Sequence, residues 1–150
     1  MTPRDFVQQP KRWIDQLKRQ PIDEQLQGTY AVVPNFALEL AARYGAPAAG
    51  ETLDFSNVDG IVIGSEPVTE SAVNSFWETF GKEEYGLRRE TLRPSYGMAE
   101  ASLIVTTPQT LERPIISHFD RERLAEGEAV IVEKSADSVA YASCGQSVVA

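Results

Sequence analysis

Two hydrophobic periods alternate along the first hundred residues. "TYAVVP" (29–34) and "GIVIGSEP" (60–67) are short β-type runs that end at proline or at a glycine–proline pair. The second is continuously apolar before Gly64, which suits a strand buried on both faces. Between them the spacing becomes helical. "NFALELAARYG" (35–45) predicts a helix that Asn35 caps and Gly45 stops, with Phe36, Leu40 and Tyr44 along one face. After Pro67, Thr69 is placed to cap a second helix, in which Val73, Phe76, Trp77 and Phe80 recur at i, i+3, i+4, i+7 before Gly81. A short run from Glu90 to Arg93 closes a strand–helix–strand–helix–strand series. That order implies right-handed crossovers and a parallel sheet, an α/β fold of βαβαβ type flanked by helices.

Outside this unit the pattern is simpler. Thr2, Pro3 and Asp5 form a helix start, and Trp13, Ile14 and Leu17 after Pro10 predict a short amphipathic helix. Pro21 to Gly28 is polar and reads as a connector, and "APAAGETLDFSN" (46–57) as a loop. Beyond Leu103 the chain becomes β-rich, with short runs at "LIVTTP", "PIISHF", "EAVIVE" and "VAYASC" and one helical turn at "DRERLAE". The expected division is a parallel α/β portion over 1–105 and short strands over 127–150. No internal repeat and no low-complexity tract interrupts it.

Composition narrows the function classes. The 150 residues suffice for one domain, with 42% hydrophobic and 24% charged. No run approaches the roughly 18 apolar residues of a membrane span, and "MTPRDFVQQP" lacks the apolar stretch of a signal peptide, so a cytoplasmic location is expected. A net charge of −8 argues against nucleic acid as a partner. The basic cluster Lys11, Arg12, Lys18 and Arg19 reads as a solvated helix face. The single cysteine, Cys144, excludes an internal disulfide and a cysteine-based metal site. The single histidine, His118, argues against a histidine-led metal cluster or a Ser-His-Asp triad and reads as a surface or hydrogen-bonded residue.

The candidate chemistry lies at the strand ends. In an open parallel sheet, ligands bind outside the carboxyl ends of the strands. There the chain places "PNF", "GSEP" and "PSYG", three loops that must meet on one edge if the strands are neighbours in the sheet. Gly64 and Gly97 allow close backbone approach, Tyr96 offers a π-face for a purine, and Glu100 is a candidate oxygen ligand for Mg²⁺ on phosphates. Asn35 and Ser65 add neutral hydrogen-bonding groups. The same letters also suit an ordinary turn at Tyr96-Gly97, a carboxylate at a helix N-terminus at Glu100, and a turn plus helix cap at "GSEPV".

"RPSYGMAEAS" (93–102) resembles the adenine- and phosphate-binding motif of the adenylate-forming superfamily, with Ala99 at a position usually occupied by threonine. The alanine, together with "MTPRDFVQQPKRWI", "PNFALELAARYG", "DFSNVDGIVIGSEPV" and "HFDRERL" in the same order, is similar to the fatty acyl-AMP ligase branch, nearest its mycolic-acid-type members. The resemblance implies that Tyr96 stacks on adenine and that Ser95, Gly97, Met98 and Ala99 complete the nucleotide-binding motif, with Gly97 and Met98 presenting backbone to the nucleotide. It implies further that Glu100 is the catalytic residue holding Mg²⁺ on ATP, that Ser65, Glu66 and Pro67 form the opposite wall of the adenine slot, and that Asn35 and Phe36 border the acyl pocket. Ala99 removes one hydroxyl donor to the AMP phosphate. Residues 106–126 sit where these ligases carry an insertion associated with failure to complete the thioester step with free coenzyme A.

The implied reaction joins a fatty acid and ATP into acyl-AMP and pyrophosphate. The acyl group then passes to the acyl-carrier domain of a polyketide synthase. Several parts of such an enzyme are not found in the sequence: a phosphate loop ending in lysine, a ribose-binding aspartate and a catalytic lysine. The expectation is therefore an internal piece of a longer enzyme, inactive in adenylation by itself. Two alternatives stay open, a piece of a long-chain fatty-acid–CoA ligase and a non-catalytic adenine-nucleotide-binding or structural module.

Overall fold

The computed structural model describes residues 2–19, 28–101, 103–109 and 111–148. The predicted connector at 21–28 lies outside the described residues except for Gly28. Three parallel strands form the central sheet in the order β1 (Thr29–Pro34), β2 (Val58–Gly64), β3 (Leu92–Pro94). The βα crossovers run through α3 (Asn35–Tyr44) and α4 (Glu70–Phe80). Because the strands follow one another in space as in sequence, right-handed crossovers bring both helices to the same face. Ile61 and Ile63 of β2 meet them there with no solvent exposure, beside Leu38, Ala72, Val73 and Phe76.

The other sheet face is open. Tyr30 and Val32 are 65% and 72% exposed, and Val62 is only half-buried. The continuous apolar run of β2 thus marks a strand flanked on both edges but packed on one face. Over Gly60 the Tyr30 ring closes in, since a Cβ there would lie 2.9 Å from it.

Two short helices precede the sheet. In α1 (Pro3–Gln8) the Thr2 hydroxyl accepts from Asp5 N (3.2 Å) and the Asp5 carboxylate accepts from Thr2 N (3.1 Å), a complete capping box. Helix α2 (Lys11–Leu17) buries Trp13, Ile14 and Leu17 as its spacing predicts. Its basic residues are not simply solvated. Lys11 and Lys18 both bind Glu51, at 2.7 and 2.8 Å, and both reach Asp15. This pins the 46–57 loop, whose Leu53 and Phe55 enter the core, with Phe55 edge-on to Phe80.

Helix α4 follows its predicted cap and stripe: Thr69 accepts from Ala72 N (3.2 Å), and Val73, Phe76 and Phe80 are buried. Helix α3 departs from expectation. Its cap residue is Pro34, Asn35 is already helical, and the buried face is Asn35, Ala37, Leu38 and Ala41. Phe36 and Tyr44 are 43% and 57% exposed. Small alanines let α3 approach α4 and the sheet closely, so the face with less hydrophobic bulk is the one that packs.

The remainder is two antiparallel pairs. Strand β4 (Thr106–Thr107) pairs with β7 (Gln146–Ser147), and β5 (Ile116–Asp120) pairs with β6 (Ser138–Ala142). Helix α5 (Arg121–Ala125) starts at Asp120, whose carboxylate accepts from Arg123 N (3.0 Å). "EAVIVE" is not a strand. It makes one bridge, Phe119 with Ile131, and then leaves the edge of β5, so Val130 and Ile131 stay exposed. Among the described residues, no helix is long and apolar enough to cross a membrane.

Candidate functional site

The three predicted loops meet on one edge of the sheet. Ser95 N donates to Ile63 O (2.8 Å), carrying the β2–β3 pairing past Pro94. This draws the two loops so close that a Cβ on Gly64 would lie 3.0 Å from Ser95 O. The next residue, Ser65, adopts a left-handed backbone at φ 65°, a strained conformation for a side-chain-bearing residue. The strain turns the chain sharply out of β2 at the rim of the site.

Ser95 is buried, donating to Arg93 O (3.0 Å) and sharing a hydrogen bond with Thr107 Oγ1 (2.8 Å). Tyr96 is fixed through its backbone, donating to Thr106 O (3.0 Å) and accepting from Val105 N (2.9 Å), while its side chain stays 51% exposed. Gly97 follows under compulsion: a Cβ would collide with the Leu103 carbonyl, 2.9 Å from its carbon. Ala99–Ala101 then form a 3₁₀ turn closed by Ala101 N and Leu103 N donating to Met98 O. Glu100 is exposed on that turn and makes no ion pair among the described residues.

Ser65, Glu66 and Pro67 face Ser95, Tyr96 and Gly97 across a cleft of about 320 Å³. Met98, Ala99 and Glu100 follow Gly97 in the chain, are exposed and do not line the cleft. The first loop joins through hydrogen bonds, not through the cleft wall. Phe36 N donates to Glu66 Oε1 (2.7 Å), so a carboxylate from the second loop caps α3 in place of Asn35. Asn35 in turn accepts from Thr69 N (3.0 Å) at the start of α4. Each helix start is thus held by the neighbouring loop. Phe36 lines a separate apolar groove of about 370 Å³ with Phe6, Trp13 and Val32.

One wall of the cleft has no counterpart in the sequence signals. Tyr141, Ala142 and Cys144, from β6 and the turn after it, line the cleft together with Val68. Burial pushes the Cys144 thiol above its ordinary pKa. "VAYASC" carries only a strand signal, and nothing local marks it as site-facing. Among the described residues no group of three or more His, Cys, Asp or Glu gathers as a metal cage. His118 is hydrogen-bonded, as expected, with Nδ1 3.4 Å from Ser138 Oγ.

No protein-family model matches the chain. The long-chain-fatty-acid–AMP ligase FadD32 of Mycobacterium marinum is 45% identical over 148 residues, covering 97% of this chain and 23% of its own length. FadD32 of Mycolicibacterium smegmatis is 45% identical over 150 residues, with the same coverage. The chain is homologous to a segment of the fatty acyl-AMP ligases. It spans about a quarter of the length of these curated relatives. Among solved structures, a fatty acyl-adenylate ligase from L. pneumophila in complex with acyl adenylate and pyrophosphate superposes with a TM-score of 0.80 at 28% identity. That match covers 97% of this chain and 24% of the ligase. The parallel α/β fold is therefore that of the corresponding segment in an adenylate-forming enzyme.

Proposed function

We propose that the chain supplies the nucleotide-facing sheet edge of a fatty-acid adenylating enzyme, one that makes acyl-AMP and pyrophosphate from a fatty acid and ATP. The observation that carries this is the cleft between Ser65–Pro67 and Ser95–Gly97 at the carboxyl ends of adjacent parallel strands. Homology to fatty acyl-AMP ligases and likeness to a ligase holding acyl adenylate support it. In this reading Tyr96 stacks on adenine, Gly97 and Met98 offer backbone to the nucleotide, and Ser65, Glu66 and Pro67 face it across the slot. The Glu66 carboxylate already accepts from Phe36 N, so its part is to hold the first loop in place. Asn35 locks the two helix starts together, and Phe36 borders the alkyl chain in the groove with Phe6 and Trp13.

Mg²⁺ is held in such sites by one or two carboxylates together with substrate phosphates and water. Exposed, unpaired Glu100, three residues past the cleft-lining Gly97, fits that pattern of a single protein oxygen ligand. When bound, the ion would offset the negative charge on the ATP phosphates. Ala99 offers no hydroxyl there, which leaves backbone N–H groups as the local donors. We read residues 106–126 as the ligase-type insertion and the acyl-carrier domain of a polyketide synthase as acceptor.

Calorimetry with a non-hydrolysable acyl-adenylate analogue tests the reading. Tyr96→Ala is expected to weaken binding by about 1–3 kcal/mol, the value of one stacked base. Glu100→Gln should remove the gain in ATP affinity from Mg²⁺ while leaving AMP binding intact. No heat with the analogue, AMP or ATP would remove the nucleotide assignment.

A further inference from the structure

The third cleft wall is not part of the parallel sheet. Tyr141 lies on β6 and Cys144 in the turn that leads from β6 to β7, so this wall adjoins the β5–β6 unit, which packs against α4. Ala142 packs on the edge of the main core, and the Tyr141 ring meets Phe119 of β5 at 6.1 Å, which orders the unit internally. Among the described residues, its ion pairs and side-chain hydrogen bonds to α4 fall on one residue. Glu70, the first residue of α4, receives Lys134 Nζ on both carboxylate oxygens, at 3.0 and 2.9 Å. His118 Nε2 of β5 lies 3.7 Å from the same carboxylate. His118 is steadied from behind by Ser138 Oγ of β6 at 3.4 Å.

Glu70 stands two residues past Val68, which lines the cleft on the β2 side. One carboxylate therefore joins the wall formed by 65–68 to the wall formed by 141–144. The side chain of Glu70 is 24% exposed and that of His118 is 15%, so the junction is partly shielded from water and salt.

We infer that Glu70 is a positioning residue of the cleft: by accepting Lys134 and facing His118, it holds Tyr141 and Cys144 in the cleft lining that they share with Val68. The inference deepens the nucleotide reading of this cleft and rests on it for its functional meaning. Glu70 touches no ligand in this role. It sets the width of the slot in which Tyr96 works, and release of the β5–β6 unit would leave Tyr96 and Ser65 in place but open one side to solvent.

Cys144 is the only cysteine in the sequence, so its alkylation reports on this wall without ambiguity. The docked wall half-buries the thiol and disfavours the reactive thiolate, so undocking should raise the rate on both counts. The rate of carbamidomethylation by iodoacetamide would be followed by mass in the 150-residue chain, in Glu70→Gln, Lys134→Gln and the double variant, with and without AMP. Each single variant should react about 1.5- to fivefold faster, the range a partly exposed ion pair commands. The double variant should react no faster than the faster single one, because both substitutions break the same link. Lys134 is itself 68% exposed, so its replacement leaves the core untouched and guards against misreading a folding defect at α4. Equal rates in all four proteins, or increases that multiply in the double variant, would overturn the inference. AMP should slow the parent chain. If it does not while the variants behave as stated, the link through Glu70 stands and the nucleotide reading fails.

Discussion

Gly97→Ala tests the close approach on which the cleft depends. Gly97 does not adopt a positive φ, so any cost of a methyl group there comes from space alone. The added Cβ would lie 2.9 Å from the Leu103 carbonyl carbon and 3.4 Å from Ile104 Cα, with the Leu103 oxygen closer still. Those are backbone atoms, which cannot rotate away as a side chain can. Relief requires the 98–103 turn to move, against the hydrogen bonds from Ala101 N and Leu103 N to Met98 O and the Tyr96–Thr106 bridge. Overpacking costs about 1–3 kcal/mol and each strained hydrogen bond about 1 kcal/mol, so a loss of about 2–4 kcal/mol is expected. For a chain of this size that corresponds to a fall in Tm of roughly 5–15 °C.

Gly50→Ala is the matched control. Gly50 sits at φ 82° with open space for 4 Å around the position a methyl group would take, so its cost is conformational only, about 1 kcal/mol. Thermal and urea unfolding of both variants give the comparison. A Gly97→Ala chain within about 0.5 kcal/mol of the parent would show that the turn yields freely and that the rim of the cleft is not held as described.

Asn35→Ala should destabilise by about 1–3 kcal/mol in urea unfolding, because the Thr69 N–H at the start of α4 loses its buried acceptor. An unchanged midpoint would mean that water replaces the amide without loss. Acid should weaken the α2–loop junction. Hydrogen bonds from Lys11 and Lys18 hold Glu51 at about 2 in the folded chain, below the ordinary carboxylate value of about 4.3 in the unfolded chain. A lowered folded pKa adds stability above the unfolded value, lost as pH falls from about 4.3 towards 2. The Tm difference between the parent and Glu51→Gln should therefore shrink over that window, and a difference constant with pH would contradict the pairing.

Elements whose causes lie within a few residues were legible in the sequence. The helix start at Thr2, Pro3 and Asp5, the Thr69 cap and apolar stripe of α4, and the strand–helix–strand–helix–strand series each rest on local spacing, and each is present. The strand-end rule was enough to bring "GSEP" and "PSYG" to one cleft. Residues whose roles depend on distant partners were misread or missed. Asn35 has the residue type of a cap, but Glu66, thirty residues on, takes that place, and Asn35 serves Thr69 instead. Phe36, Leu40 and Tyr44 form the bulkier stripe of α3, yet the closeness of α4 and the sheet selects the alanine face.

By itself the sequence determined the helices and strands of the parallel α/β portion, their order along the chain, and likeness to a segment of the fatty acyl-AMP ligases, because periodicity, caps and motif spacing are properties of neighbours along the chain; in the β-rich remainder it also marked "EAVIVE", which forms no strand. Only the tertiary structure decided that Glu51 clasps two lysines, that Glu66 and Asn35 exchange helix starts, and that Tyr141 and Cys144 wall the cleft. Those pairings span tens of residues, and which of many equivalent carboxylates, amides or rings meet is settled by the packing of α3, α4 and the β5–β6 unit rather than by any local preference.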